Sequence, residues 1–287
     1  MRQAFLLILG VLIAATTGLS ARPTAAPKPA PAPAAVIPLE PYLDGDHFVF
    51  HGKIRDRDGL FQFDTGGGLT AVTPQSAAII ACKPWGRLSG FRMRGDRVDS
   101  KRCDSVTIDA GATVLHLPTT AIWDLSAILP KDAPPLAGSV GLDAFAGQAV
   151  TLDLAGRRLI VETPQSLKVR TAHAAELTVH MVWEAEGYAP SAMVALDEPQ
   201  GRIWCTLDSG NDASITLARH VAADFGLDPD RKTSQPLDVT LPGGVRLIGK
   251  VHVADLIVDC NIGAPILRTW VVTFDLARGR VWVSPNP

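Results

Sequence analysis

Two twelve-residue stretches decide how this chain is read: Val150-Thr151-Leu152-Asp153-Leu154-Ala155-Gly156-Arg157-Arg158-Leu159-Ile160-Val161 and Val272-Thr273-Phe274-Asp275-Leu276-Ala277-Arg278-Gly279-Arg280-Val281-Trp282-Val283. Seven of the twelve positions are identical, at a constant offset of 122. Each stretch reads as a strand, a tight turn containing glycine and a returning strand. Ten residues before the threonine of each unit stands a glycine, Gly141 and Gly263, at the same offset. Farther upstream, each half has an apolar strand running into Asp-hydroxyl-Gly. These are Phe61-Gln62-Phe63-Asp64-Thr65-Gly66 and Trp204-Cys205-Thr206-Leu207-Asp208-Ser209-Gly210, with the two aspartates 144 apart. A single such triplet is a weak signal, because a loop aspartate is usually a turn former or a helix cap. Two of them, each followed by a matching glycine and hairpin, mark an internal duplication.

The rest of the chain agrees with an all-β reading. Short runs rich in Val, Ile, Leu and Thr, such as Val106–Ile108, Leu177–Val179, Val239–Leu241 and Val251–Val253, are separated by turn residues. Two short helices are predicted. Thr73-Pro74 supplies an N-cap and a first-turn proline for a helix over Gln75 to Ala81. A second starts at Thr216 or Leu217, buries Ala218, Val221, Ala222 and Phe225, and stops at Gly226. Residues 164–174 lack apolar periodicity and read as a linker between the halves. The chain therefore divides into lobes over residues 38–163 and 175–287.

The amino terminus reads as an address. Arg2 is followed by an apolar run from Ala4 to Ala15 and then by small residues. That is the layout of a secretory signal over residues 1–21, too short for a comfortable bilayer span of about 18 or more apolar residues. Residues 22–37 contain Pro23, Pro27, Pro29, Pro31 and Pro33 and read as an extended Pro/Ala linker. The expected location of the mature chain is therefore the periplasm or the exterior, with no membrane span.

At 287 residues, 47% hydrophobic and 20% charged, the chain has enough apolar material for two cores, which excludes a largely disordered protein. Its formal charge of −2 excludes the strongly basic footprint of a nucleic-acid binder. Four cysteines in an exported chain suggest disulfides, and their spacing leaves all three pairings open. There is no C-x-x-C, and none of the seven histidines has H-E-x-x-H spacing, so no metal and no cofactor is assigned.

The Asp64-Thr65-Gly66-Gly67-Gly68 and Asp208-Ser209-Gly210-Asn211-Asp212 loops, with Gly141 and Gly263 ahead of the terminal hairpins, resemble the aspartic peptidases. The similarity is to retropepsin-like bacterial members with both lobes fused in one chain, and it covers nearly everything from residue 38 onwards. It implies a bilobal acid-protease fold of two related β-barrel-like lobes with short helices. It also implies an endopeptidase that takes a peptide or protein substrate in the cleft between lobes, as a monomer. On that resemblance Asp64 and Asp208 are the catalytic pair, and Thr65 and Ser209 are the hydroxyls that orient them. Gly66 and Gly210 are the loop glycines that permit close backbone approach. Two carboxylates suit the chemistry because one, ionised, takes a proton from water while the other, protonated, polarises the carbonyl.

The resemblance has gaps. The family often places large apolar residues before the later glycine, whereas Ser139-Val140-Gly141 and Asn261-Ile262-Gly263 each begin with a polar one. Asp212 is a substrate-contact candidate by its place in the motif, with helix capping as the alternative, and Gly68 holds the matching position in the first half. Tyr42 and Tyr188 both precede the loops, so neither matches a flap tyrosine. The flap of the first half is expected between Gly86 and Cys103, where six basic residues face two acids. A basic flap would favour anionic substrates, and ordinary solvated charge is the alternative. In this fold a Cys82–Cys103 disulfide would staple the flap base. Cys205 and Cys260 would lie on neighbouring strands, bonded or as two buried thiols. The alternative to an enzyme is a non-catalytic peptide-binding protein on the same fold. A serine hydrolase of α/β type is excluded, because there is no G-x-S-x-G and no βα alternation.

Overall fold

The computed structural model describes residues 32–43, 45 and 47–286. The expected signal segment, 1–21, and most of the Pro/Ala linker lie outside the described residues. Within them the chain is all-β, with three sheets and a few short helices.

The duplicated hairpins pair with each other. Ala149–Asp153 and Trp270–Asp275 run antiparallel, with Thr151 opposite Thr273. Their hydroxyl oxygens lie 2.9 Å apart. Residues related by the sequence offset thus meet at one point, which places a pseudo-twofold axis through this pair. Each hairpin's return strand, Arg158–Glu162 and Arg280–Pro285, extends the sheet outward. Ala35–Pro38 and Ala175–Leu177 close its two edges, giving six strands. Residues 35–37, read as linker, are therefore part of a strand. Ala35 and Ile37 are buried while Val36 is exposed, the alternation a one-sided edge strand requires.

Each lobe has its own sheet, and the same arrangement recurs in both. In the first lobe Arg57–Phe63 lies parallel to Gly138–Val140, which lies antiparallel to Ala71–Val72. In the second, Gly201–Asp208 lies parallel to Cys260–Gly263, which lies antiparallel to Ile215–Ala218. The strand that delivers each aspartate is thus wedged beside the strand that ends in the matching glycine or just ahead of it. The first lobe adds a contact between His47–Ile54 and Arg97–Asp109, which curls its eight strands toward a barrel. The second lobe has seven strands.

The helices differ from the sequence reading in instructive ways. Pro74–Ile79 forms as expected, with the Thr73 hydroxyl accepting from the Ser76 backbone N–H. The second begins later: Ile215–Ala218 is a strand, and a 3-10 helix follows over Arg219–Phe225, ended by Gly226 at φ 69°. Ile215 and Thr216 are β-branched, and this strand is hydrogen-bonded on both sides, which overrides the helical spacing. Residues 164–171 of the expected linker form a helix with almost no apolar face, held by a capping box between Thr163 and Ser166.

The core runs through both lobes and collects beneath the aspartate loops. Phe61, Phe63 and Phe145 lie under the first loop, with Phe63 edge-on to Phe145 at 6.1 Å. Leu207, Ile215 and Ile262 lie under the second, all fully buried. Truncating such a side chain to alanine costs roughly 2–5 kcal/mol, so the loops rest on a floor that resists collapse. Both disulfides form. Cys205–Cys260 crosslinks paired positions of the strands that lead to Asp208 and Gly263, and Cys82–Cys103 joins the first helix's end to the flap.

Candidate functional site

Each Asp-hydroxyl-Gly triplet is the turn at the end of a buried strand, and the two turns face each other across the pseudo-twofold axis. The hydroxyls tie them together reciprocally. The Thr65 N–H donates to the Ser209 hydroxyl at 3.0 Å, and the Ser209 N–H donates to the Thr65 hydroxyl at 2.9 Å. Each hydroxyl then donates onward to the opposite strand, Thr65 to the Leu207 carbonyl at 2.7 Å and Ser209 to the Phe63 carbonyl at 3.0 Å. All four bonds are buried, so losing one partner would strand a polar group at a cost of about 1–3 kcal/mol. The two lobes are in this way locked at one height.

That lock sets the aspartates side by side. Asp64 accepts the Gly66 N–H at 3.0 Å, and Asp208 accepts the Gly210 N–H at 2.9 Å. A side chain on Gly66 would run into the carboxylate of Asp208, and one on Gly210 into that of Asp64. The glycines are therefore required by the approach of the opposite carboxylate. The two carboxyl groups are closely apposed across the axis, and both residues are partly exposed. Burial and the neighbouring Asp208 push the Asp64 carboxyl up to about 8. Like charges this close resist ionising together, so Asp64 holds its proton in the neutral range beside Asp208.

The surroundings are not symmetric. Asn261, two residues before Gly263, donates its amide to Asp208 Oδ2 at 2.7 Å. Asn211 donates in turn to Asn261 Oδ1 at 2.7 Å. In the first lobe the loop is fastened instead by Asp143, a buried carboxylate that takes the Thr70 N–H at 3.0 Å and the Thr70 hydroxyl at 2.6 Å. Burial pushes Asp143 up to about 6 against those hydrogen bonds. Sequence reading flagged the polar residue at 261 as a departure but gave it no role, and it passed over Asn211, Thr70 and Asp143. Only contacts between residues 50 or more apart in sequence reveal them.

Gly68 turns at φ +69°, and a side chain there would meet Ala189 of the second lobe. Asp212 is exposed on its loop, beyond Asn211. The flap is the hairpin of Trp85–Phe91 and Arg97–Asp109, stapled by Cys82–Cys103. Its long strand is irregular between the pairs Asp104–Thr119 and Val106–Leu117, where Ser105 adopts φ 55° and faces Pro118, which has no N–H to donate. Beyond that point the hairpin leans over to the second lobe. At its tip the Met93 carbonyl accepts the Ile257 N–H at 3.0 Å. Lower down, Arg102 forms a bidentate pair with Glu186 at 2.5 and 2.7 Å and stacks on Trp85. Arg97 pairs with Asp99. Of the six basic flap residues, Arg87, Arg92, Arg94 and Lys101 stay exposed without an ion pair among the described residues. A groove of about 840 Å³ on the second lobe, lined by Leu237, Ile248, Pro265 and Ile266 among others, includes neither aspartate.

No protein-family profile matches the chain, and no curated protein does. Among solved structures it is similar to basic 7S globulin from soybean, at 12% identity and a TM-score of 0.55, over 87% of this chain and 94% of that one. It is similar to conglutin gamma, a basic 7S globulin from lupine seeds, at 11% identity and a TM-score of 0.55, over 88% and 95%. Likeness at this identity shows the fold, which is the bilobal, all-β architecture of the aspartic proteases. It corrects the expected membership of a retropepsin-like peptidase family: no family model matches, and these two similar structures are globulins. The sequence resemblance rested on short loops whose geometry belongs to the fold, and the fold is wider than the peptidases.

Proposed function

We propose that the chain is an exported hydrolase that cleaves peptide bonds by activating water between Asp64 and Asp208. The observation that carries this reading is the closely apposed carboxyl pair, each member seated over the other loop's glycine and partly exposed. A water held by both would lose a proton to the ionised carboxylate as its oxygen attacks the carbonyl carbon, while the protonated carboxyl gives its proton to the carbonyl oxygen. Thr65, Ser209, Gly66 and Gly210 hold that arrangement without touching substrate. An extended peptide would lie beneath the flap, with Asp212 and Gly68 as contacts on its two sides. The chain would act as a monomer, since it carries both halves of the pair. Two formed disulfides support an oxidising compartment, either periplasm or exterior.

A second reading, a peptide-binding protein without catalysis, is favoured by the likeness to the two seed globulins, neither of which is named as a peptidase. One comparison separates the two. A peptide with a statine-like hydroxyl in place of the scissile amide mimics the tetrahedral intermediate, and a working pair binds it about 100-fold or more tighter than the parent peptide. Calorimetry on wild type, Asp64→Asn and Asp208→Asn should show that preference only in wild type. Equal affinity for both peptides in all three proteins would establish the binding reading instead.

A further inference from the structure

The two halves of the duplication treat their aspartates differently, and the difference has a direction. The Ala213 N–H donates to Asn211 Oδ1 at 3.0 Å. A backbone N–H can only donate, so this bond fixes which end of the Asn211 amide is oxygen. Its nitrogen faces Asn261 and donates to Oδ1 there at 2.7 Å. Asn261 is then left with its own nitrogen toward Asp208 Oδ2, at 2.7 Å. Amide orientations are ordinarily a choice between two near-equal fits, but here the first donor settles the whole series. Both asparagines are buried, at 7% and 3% exposure, so water does not compete for these bonds. The series delivers an N–H, and an N–H requires an acceptor.

Nothing equivalent reaches the other aspartate. The position matching Asn211 is Gly67, which has no side chain, and the position matching Asn261 is Ser139. Ser139 sits opposite Gln62 as Asn261 sits opposite Thr206, yet among the described residues no side-chain amide or hydroxyl donates to Asp64, which takes the backbone N–H of Gly66. We propose that Asn261, aimed by Asn211 and the Ala213 N–H, is a positioning residue that keeps Asp208 the ionised member of the pair and leaves the shared proton on Asp64. The other charged groups nearby are few. Asp212 is on the Asp208 loop, and Asp143 lies behind the first loop against Thr70. The strands Cys260–Gly263 and Ile215–Ala218 and the helix Ala264–Leu267 carry none. Arg202 is at the far end of the strand that leads to Asp208, Asp197 and Glu198 are at the far end of its neighbour, and Lys250 and His252 are one strand beyond Ile215–Ala218.

The roles that follow rest on the hydrolytic reading, whereas the place of the proton does not. Asp208 takes the water proton as the water oxygen bonds to the carbonyl carbon, and the carbonyl oxygen receives the Asp64 proton, giving a diol. When the C–N bond breaks, its electron pair goes to nitrogen, which takes the proton from Asp208. One diol hydroxyl returns a proton to Asp64, and the starting state is restored.

The test is a pH titration followed by NMR of protein labelled with 13C at the aspartate side-chain carboxyls. Asp64→Asn and Asp208→Asn assign the two resonances. In wild type the lower step should belong to Asp208. Asn261→Leu, which keeps size and removes the amide, should raise that lower step by about one pH unit or more. Asn211→Ala leaves Asn261 in place but unaimed, and should move it in the same direction by less, which keeps the test open if the first variant folds poorly. A lower step that belongs to Asp64, or that stays put in both variants, overturns the proposal. Should wild type titrate as described and yet cleave no peptide, the hydrolytic reading fails and the proton's place stands.

Discussion

At the scale of single residues, the site holds a charge pattern that works against the fold's stability near neutral pH. The Asp64 carboxyl binds its proton more tightly in the native protein than in the unfolded chain, where an aspartate titrates near 4. Its stabilising effect is therefore complete below about pH 4 and is lost as pH rises toward about 8. Asp143 adds the same sign over a narrower span, ending at about 6. Asp64→Asn removes the larger contribution while keeping shape and a donor for Asp208. Thermal melts should show this variant more stable than wild type at pH 7, by a few degrees or more, and matched to it near pH 4. A variant less stable than wild type at pH 7 would count against a protonated, buried Asp64. How much of this was legible in sequence depended on repetition. Asp64, Asp208 and their hydroxyls stood out because each motif occurs twice at matched distances. Asn261 and Asn211 did not, because they mark where the two halves differ, and a difference between repeats looks like drift until contacts are seen.

At the scale of elements, the hairpins that carry the duplication were readable from glycine turns and alternating strands, and they form as read. The segments that were misread share one cause. Ala35–Pro38, Ile215–Ala218 and the helix at 164–171 owe their form to partners far away in sequence or to a cap, and local patterning is blind to both. The Cys205–Cys260 disulfide makes such a distant partnership covalent, closing 55 residues and fixing the strand under Asp208 to the strand that carries Asn261. On the chain-entropy account its loss costs about 4 kcal/mol. The paired change Cys205→Ala with Cys260→Ala should lower the urea midpoint accordingly. It should also reduce affinity for the hydroxyl peptide, because the Asn261 amide is no longer held to register. Unchanged affinity in the folded double variant would show that strand pairing alone maintains the site.

At the scale of the whole molecule, one axis through Thr151 and Thr273 organises everything: the shared sheet, the mutual hydroxyl lock and the two carboxylates above it. The flap bridges the lobes at Met93–Ile257 and Arg102–Glu186; on the proposed function, a peptide would have to displace it or pass beneath it. The fold is shared with seed globulins, and fold alone does not assign an activity. At the axis this chain carries an asymmetric carboxyl pair, Asp64 and Asp208, and the central claim is that this pair breaks peptide bonds. The most direct measurement is turnover of a mixed peptide library, read by mass spectrometry from pH 3 to 8, for wild type, Asp64→Asn and Asp208→Asn. Water activation between the two carboxylates requires cleavage by wild type and its loss in both variants. Cleavage that persists in both, or none by wild type at any pH, would contradict it.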